Sequence, residues 1–244
     1  MSSLAITLRK QSKDLTVWEH RGPSDTLVVC FSGIGTDPEQ SPPYEFARSA
    51  TQNGQHNTLF IADPNRTWLN GPGLLDQICD EVDHFRAAVG ARQVISVGHS
   101  MGGFSALALP GFVKVDTVLA FAPQLSVHPE VVPDETHWMV YRDRIQDYRI
   151  RSIEDHLNSD TRYIVLHGRH GREAPQRDRF PRRDNLRHFI MPHTHHNVPQ
   201  RLKKEGVLDT VFEQAISHQP RRLRLTLESK LRAYLRPEKD TATV

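Results

Sequence analysis

The segment Gly98-His99-Ser100-Met101-Gly102 constrains this chain more than any other. Before it stands Val94-Ile95-Ser96-Val97, an apolar run that reads as a buried strand, and residues 103–109 after it read as a helix. A turn that carries a strand directly into a helix through one serine crowds the positions two before and two after it. Both hold glycine here, the residue that fits where a Cβ does not. Such a turn strains the serine backbone and exposes its hydroxyl at the carboxyl edge of a sheet, with a helix N-terminus behind it. Negative charge developing on a bound oxygen is stabilised there by the helix dipole and by free N–H groups. The plain alternative is a tight strand–helix turn that happens to contain serine. The correct flanks and a further glycine at Gly103 favour the chemical reading.

Strand and helix signals alternate along the rest of the chain. Residues 4–9 and 15–20 read as short edge strands. Residues 27–31 are a continuous apolar run, the pattern of a strand covered on both faces, and residues 58–62 read as the next strand. Residues 44–53 read as a short helix ending at Gly54, and residues 74–89 as an amphipathic helix ended by Gly90. Further strands are predicted at 117–121, 162–166 and 186–191. This succession predicts the α/β class: a mostly parallel, twisted sheet with right-handed crossovers and helices on both faces. Residues 1–220 read as a single domain with a modest cap segment at about 123–160, and residues 221–244 as an amphipathic helix and tail. In open parallel sheets the functional site lies beyond the carboxyl ends of the strands, so the loops that follow strands carry the candidates.

The strand, the Gly-His-Ser-Met-Gly turn and the helix together resemble the nucleophile elbow of the α/β-hydrolase superfamily. The resemblance covers roughly residues 27–216. It implies that Ser100 is the nucleophile and that the N–H of Met101 supplies one half of an oxyanion hole. The loop Ser32-Gly33-Ile34-Gly35 then supplies the other half, through Ile34 or alternatively Gly33. Many relatives have His-Gly at this loop, and Ser32 departs from that pattern. The resemblance also implies a histidine before the C-terminal helix, which begins near residues 198–202. The loop Met191-Pro-His193-Thr-His195-His196-Asn197-Val198 offers His196, closest to that junction, with His195 and His193 as alternatives. The acid belongs after the strand at 162–166, where Glu173 is favoured and Asp178 is the alternative. The order Ser100, Glu173, His196 is the superfamily's order of nucleophile, acid and base. In a triad His196 Nε2 lies about 2.6–3.2 Å from Ser100 Oγ, and Glu173 accepts from Nδ1 with no arginine between them.

These parts lead to the expectation of a serine esterase that works through an acyl-enzyme. An acyltransferase using the same triad is the close rival, and a catalytically silent, hydrolase-like binding module is the rival from another class. Two further segments bear on the substrate. Asp63-Pro64-Asn65-Arg66-Thr67-Trp68 follows a strand and so faces the site; it loosely resembles an Asp…Trp segment of small bacterial hydrolases from surface-polysaccharide gene clusters. The cap contains His137, Trp138, Met139 and Tyr141, which either roof an acyl or sugar pocket or form the cap's own core.

Composition narrows the partners. A formal net charge of +2 over 244 residues gives no global drive toward nucleic acid or a membrane surface. No apolar run approaches transmembrane length, the amino terminus lacks the apolar stretch of a signal peptide, and two cysteines make no disulfide framework. A cytoplasmic location is expected. The cluster His193, His195, His196 raises a zinc reading, but no nearby carboxylate completes a ligand set, and 14 histidines make local clustering unsurprising; neither metal nor cofactor is expected. The partner expected is a small-molecule or saccharide acyl ester. Arg169, Arg172, Arg177, Arg179, Arg182, Arg183 and Arg187 crowd the proposed acid and raise an anionic substrate, against the alternative of a charge-balanced surface. Leu223, Leu227, Leu231 and Tyr234 recur at helical spacing among basic residues, the pattern of a helix that packs on its own domain or meets an anionic membrane or a partner.

Overall fold

Strands that are apolar at every position must be covered on both faces, and that requirement organises the architecture. The computed structural model describes residues 4–237. Its strands are β1 (Thr7–Gln11), β2 (Thr16–His20), β3 (Thr26–Phe31), β4 (Asn57–Ala62), β5 (Gln93–His99), β6 (Thr117–Phe121), β7 (Arg162–Gly168), β8 (Leu186–Met191) and β9 (Tyr234–Leu235). They form one nine-stranded sheet in the order β1-β2-β4-β3-β5-β6-β7-β8-β9. From β4 through β8 neighbours run parallel, while β1–β2, β2–β4 and β8–β9 pair antiparallel.

The helices are α1 (Ala47–Ala50), α2 (Leu74–Val89), α3 (Met101–Ala108), α4 (Met139–Arg142), α5 (Ala174–Arg177), α6 (Val198–Lys204), α7 (Leu208–Ile216) and α8 (Pro220–Leu231). Successive strand residues point to opposite faces. In β3, Leu27, Val29 and Phe31 join the apolar layer under α2 and α3, while Val28 and Cys30 join the layer under α1, α6, α7 and α8. In β6, Val118 and Ala120 face the first layer and Leu119 and Phe121 the second. Helix α2 buries Leu74, Leu75, Ile78, Val82 and Phe85, the stripe predicted for it, between left-handed glycines at Gly73 and Gly90.

Several predicted elements need correction. The first strand begins at Thr7 rather than at residue 4. Only Ala47–Ala50 of the predicted 44–53 helix forms, because Phe46 before it and Gln52 and Asn53 after it adopt left-handed backbone. The helix after Ser100 starts at Met101, not at Gly103. Helix α7 has no counterpart among the predicted elements. Leu223, Leu227 and Leu231 are buried in the second layer, at about 2 kcal/mol each relative to exposure, so α8 is bound to the sheet by its leucines. Tyr234 does not continue that stripe: Arg232 is left-handed, and Tyr234 pairs with Ile190 in β9. The predicted tail beyond residue 237 lies outside the described residues. The segment at 123–160 is mostly irregular, with α4 and a 3₁₀ turn at Ile153–His156. Among the described residues no helix is long and apolar enough to cross a membrane.

β3 is flanked by β4 on one side and β5 on the other, so the chain reverses its direction of winding there. Crevices at such reversals, beyond the carboxyl ends of the strands, are where open α/β sheets bind ligands. The loops after β3 and β5 carry Ile34 and Ser100.

Candidate active site

Ser100 sits at the junction of β5 and α3 with φ 55° and ψ −120°, a conformation that costs an L-residue energy and persists only where packing dictates it. The two flanking glycines are what packing dictates. A Cβ on Gly98 would stand 2.1 Å from Gly102 O, and one on Gly102 would stand 2.3 Å from Phe31 O. The turn therefore closes only without side chains at these positions. Met101 opens α3, so its N–H has no acceptor within the helix.

The loop after β3 is held from two sides. On one side Ser32 Oγ donates to Pro43 O (2.8 Å), and the Glu45 carboxyl beside Gly33 is pushed up to about 7 by burial. Arg66 fixes Ile34 from the other side, donating from Nε to Ile34 O (2.8 Å) and from Nη2 to Asp37 O and Gln40 O (2.8 Å each). Arg66 is itself buried, with left-handed backbone.

The acid and histidine loops meet beyond β7 and β8. His170 N–H donates to Thr194 O (3.2 Å) and Arg169 N–H to Met191 O (2.9 Å), tying one loop to the other. Glu173, buried at the end of a 3₁₀ turn, accepts from His196 Nδ1 at 3.1 Å. Burial raises the Glu173 carboxyl, but the hydrogen bond from His196 and the attraction of that ring outweigh it and hold Glu173 below its ordinary range. With Nδ1 committed to Glu173, Nε2 is left as the acceptor nitrogen of His196. Among the described residues this buried atom has no hydrogen-bond partner.

The alternatives stand elsewhere. His195 is exposed and stacks on His170, with centroids 3.9 Å apart, and His193 is exposed with left-handed backbone. Asp178 is exposed and paired with Arg177 at 2.6 Å. The arginines near the acid do not intervene: Arg177 caps the carbonyls of Gly168, Arg169 and His170, and Arg172 donates to His137.

The structure differs from the expected triad at one contact. No hydrogen bond joins His196 Nε2 to Ser100 Oγ; the hydroxyl instead accepts from Gln124 Nε2 at 3.3 Å. Catalytic hydrogen bonds of this kind are often long in apo structures and tighten with substrate. Gln124 follows β6 and is buried, and its Oε1 accepts from Trp68 Nε1 (3.2 Å), which settles which end of the amide meets the serine. His99 donates from Nε2 to His196 O (3.0 Å), with ring centroids 4.9 Å apart. Desolvation, with His196 alongside, pushes His99 down to about 4, so this ring is a neutral donor.

Gln124, His99 and Arg66 were not singled out by the sequence. Gln124 carried a usable signal, since it too lies in a loop after a strand. The Asp63–Trp68 segment, expected to face the site, instead supports its loops from behind. Asp63 closes the turn by accepting from Thr67 N (2.5 Å), Thr67 Oγ1 (2.8 Å) and Asn65 N (3.0 Å), while Arg66 and Trp68 reach the two site loops. A cavity of about 460 Å³ opens beside Gln124, Glu173 and His196 and is lined as well by Glu135, His137 and Trp138. Of the cap residues singled out, Trp138 and Met139 are exposed, and Tyr141 packs partly buried beside Arg66.

No protein-family model matches this chain, and no curated protein sequence matches it. Solved structures do. The chain is similar to an esterase of Pyrococcus furiosus at 14% identity, over 84% of this chain and 86% of that one, with a TM-score of 0.56. It is similar to the capsule O-acetyltransferase of Neisseria meningitidis serogroup A at 14% identity, over 85% and 93%, with a TM-score of 0.58. It is also similar to an α/β serine hydrolase without lid from Xanthomonas campestris at 13% identity, over 84% and 88%, with a TM-score of 0.54. Strand order, the helices on both faces and these likenesses agree: the chain has the α/β-hydrolase fold.

Proposed function

We propose that this chain is a serine esterase that cleaves an acyl ester through an acyl-enzyme. The observation that carries the reading is the Glu173–His196 hydrogen bond, which leaves the buried Nε2 of His196 unpartnered, together with a serine in strained backbone whose partner Gln124 lines the same cavity as His196. Ser100 Oγ bonds the acyl carbon as its proton passes to His196 Nε2. The carbonyl oxygen becomes an oxyanion held by the N–H groups of Met101 and Ile34. The intermediate collapses, the ester C–O bond breaks, and His196 returns the proton to the leaving alcohol. Water repeats the sequence on the acyl-enzyme. Glu173 holds His196 in the tautomer with Nδ1 protonated and stabilises the imidazolium. Gln124 keeps the serine oxygen as an acceptor, so that its proton is free to point toward His196, and its N–H supports the oxygen as negative charge builds on it.

Acyl transfer to an alcohol uses the same residues. The cavity beside His196 has room for an acceptor in the place of water, and one neighbour in fold is an O-acetyltransferase. A silent binding module requires neither a strained serine nor a carboxylate–histidine pair. The test is turnover of an aryl acetate by wild type, Ser100→Ala and His196→Ala. Both variants should lose on the order of 10⁶-fold in kcat if the residues act as a unit. Near-normal turnover in either one refutes the mechanism.

A further inference from the structure

Arg172 lines the cavity beside His196, and its guanidinium meets no carboxylate among the described residues. In this it differs from Arg177, paired with Asp178, and Arg179, paired with Asp134, and of the arginines near the acid it is the one that lines this cavity. Arg172 is nonetheless fixed. It donates from Nε (3.0 Å) and Nη2 (2.6 Å) to His137 Nε2. An Nε2 that accepts puts the ring proton on Nδ1, and His137 Nδ1 donates to Glu135 Oε1 at 2.5 Å. Glu135 is buried, and its Oε2 accepts from Gln176 Nε2 at 3.0 Å. An exposed arginine is thus tethered through a neutral imidazole to a buried carboxylate. Only part of its fork of five donors is used, and the rest, with Nη1, remains available. A guanidinium held in one orientation loses little freedom when it binds a planar anion. The tether also leaves its charge facing open space rather than cancelling it by direct contact.

The place of the cavity says which part of a substrate it takes. His196 must deliver its proton to the leaving oxygen, so the alcohol part of the ester lies on the side of His196. The cavity is on that side: Gln124, Glu173 and His196 line it together with Arg172 and the exposed Trp138. At about 460 Å³ it falls within the range of small-molecule sites.

We infer that Arg172 binds an anionic group on the alcohol part of the ester, so that the substrate class is the O-acyl ester of a hydroxy acid. The inference rests on the esterase reading above. In the step concerned, Ser100 Oγ bonds the acyl carbon, the ester C–O bond breaks, and the hydroxy acid leaves as its oxygen takes the proton from His196 Nε2. Its carboxylate stays on Arg172 throughout, so the contact acts on binding and positioning.

A matched pair of acetyl esters tests this: 4-acetoxybenzoate, with an anionic alcohol part, and 4-acetoxybenzamide, its neutral counterpart of the same shape. Wild type should favour the anionic ester by roughly five- to tenfold in kcat/KM, mostly through KM, as expected of one partly exposed charge-assisted contact. The preference should shrink as salt is raised from about 20 mM to about 500 mM, where screening is strong. Arg172→Met should remove the preference and leave the neutral ester unchanged within about twofold. Moving the anion to the acyl part, in phenyl hydrogen succinate against phenyl butyrate, should give no Arg172-dependent preference. Equal losses on both acetoxy esters in Arg172→Met would mean that Arg172 only staples the turn before Glu173, and would overturn the inference. So would a wild type that does not distinguish the pair. If wild type cleaves neither ester, the esterase reading has failed, and the subsite is read from binding alone. Tighter binding of 4-hydroxybenzoate than of 4-hydroxybenzamide, lost in Arg172→Met, supports the anion site; equal binding overturns it.

Discussion

His167 offers a stability prediction whose sign and size follow from its surroundings. It is fully buried on β7, bonded from Nε2 to Pro123 O (3.0 Å) and through Nδ1 to His188 Nε2 (2.8 Å). Burial pushes it from 6.5 to about 4, although Glu173 and the Pro123 carbonyl pull the other way. The folded state therefore favours the neutral ring. Its contribution is present above pH 6.5 and is lost as pH falls toward 4. Between pH 7 and pH 5 the loss comes to about 2 kcal/mol for this one residue. The total pH slope does not isolate it, because Glu45 has the opposite sign. Burial raises Glu45 to about 7, so its penalty on folding is full above pH 7 and is relieved as pH falls toward 4.5. The informative quantity is the stability difference between wild type and His167→Gln, which keeps an amide donor near the Nε2 position and removes the titration. Urea unfolding of both proteins at pH 7, 6 and 5 should show the difference narrowing by about 2 kcal/mol from pH 7 to pH 5. A difference that stays constant within a few tenths of a kcal/mol would refute the buried, neutral assignment.

Three further outcomes are expected. Glu173→Gln should lower kcat by up to about 10⁴-fold by favouring the wrong histidine tautomer, while Asp178→Asn, which removes only a surface partner of Arg177, should change kcat by less than about twofold; the reverse result transfers the acid role to Asp178. Gln124→Ala should lower kcat by about 10- to 100-fold with KM held within about threefold, since the contact is to the attacking oxygen; steady-state kinetics on the aryl acetate decide it. Arg66→Met should cost about 3 kcal/mol in urea unfolding, because it leaves the carbonyls of Ile34, Asp37 and Gln40 without their buried donor, and an unchanged midpoint would show that the loop after β3 is held by other contacts.

The parts of the fold that could be read from sequence are those where sterics or burial leave one solution. Gly98 and Gly102 stand where any side chain collides with backbone, and the pattern around Ser100 declares that collision. Strands β3, β6 and β7 are apolar at consecutive positions because α-helices cover both faces, and their limits were predicted within two residues. Glu173 and His196 were named through the resemblance, and both stand in loops that follow strands at one edge of the parallel sheet. What escaped prediction depends on contacts without a period. Trp68 to Gln124 spans 56 positions and His99 to His196 spans 97, and neither leaves a local mark. Phe46 and Arg232 adopt left-handed backbone against their type, which cut short one predicted helix and turned Tyr234 into a strand. Among the arginines near the acid, charge alone did not separate Arg172 from Arg177 and Arg179; what separates it is the distance from each to a carboxylate, which only the folded chain sets.

The central claim is that Ser100 is the nucleophile. The direct measurement is the intact mass of the protein after exposure to a fluorophosphonate, followed by peptide mapping of the adduct. Wild type should gain one phosphonyl group, located on Ser100. Ser100→Ala should gain none, and His196→Ala should react far more slowly because the hydroxyl has lost its base. Labelling of Ser100→Ala at the wild-type rate, or an adduct on any other residue of the wild-type protein, would contradict the account.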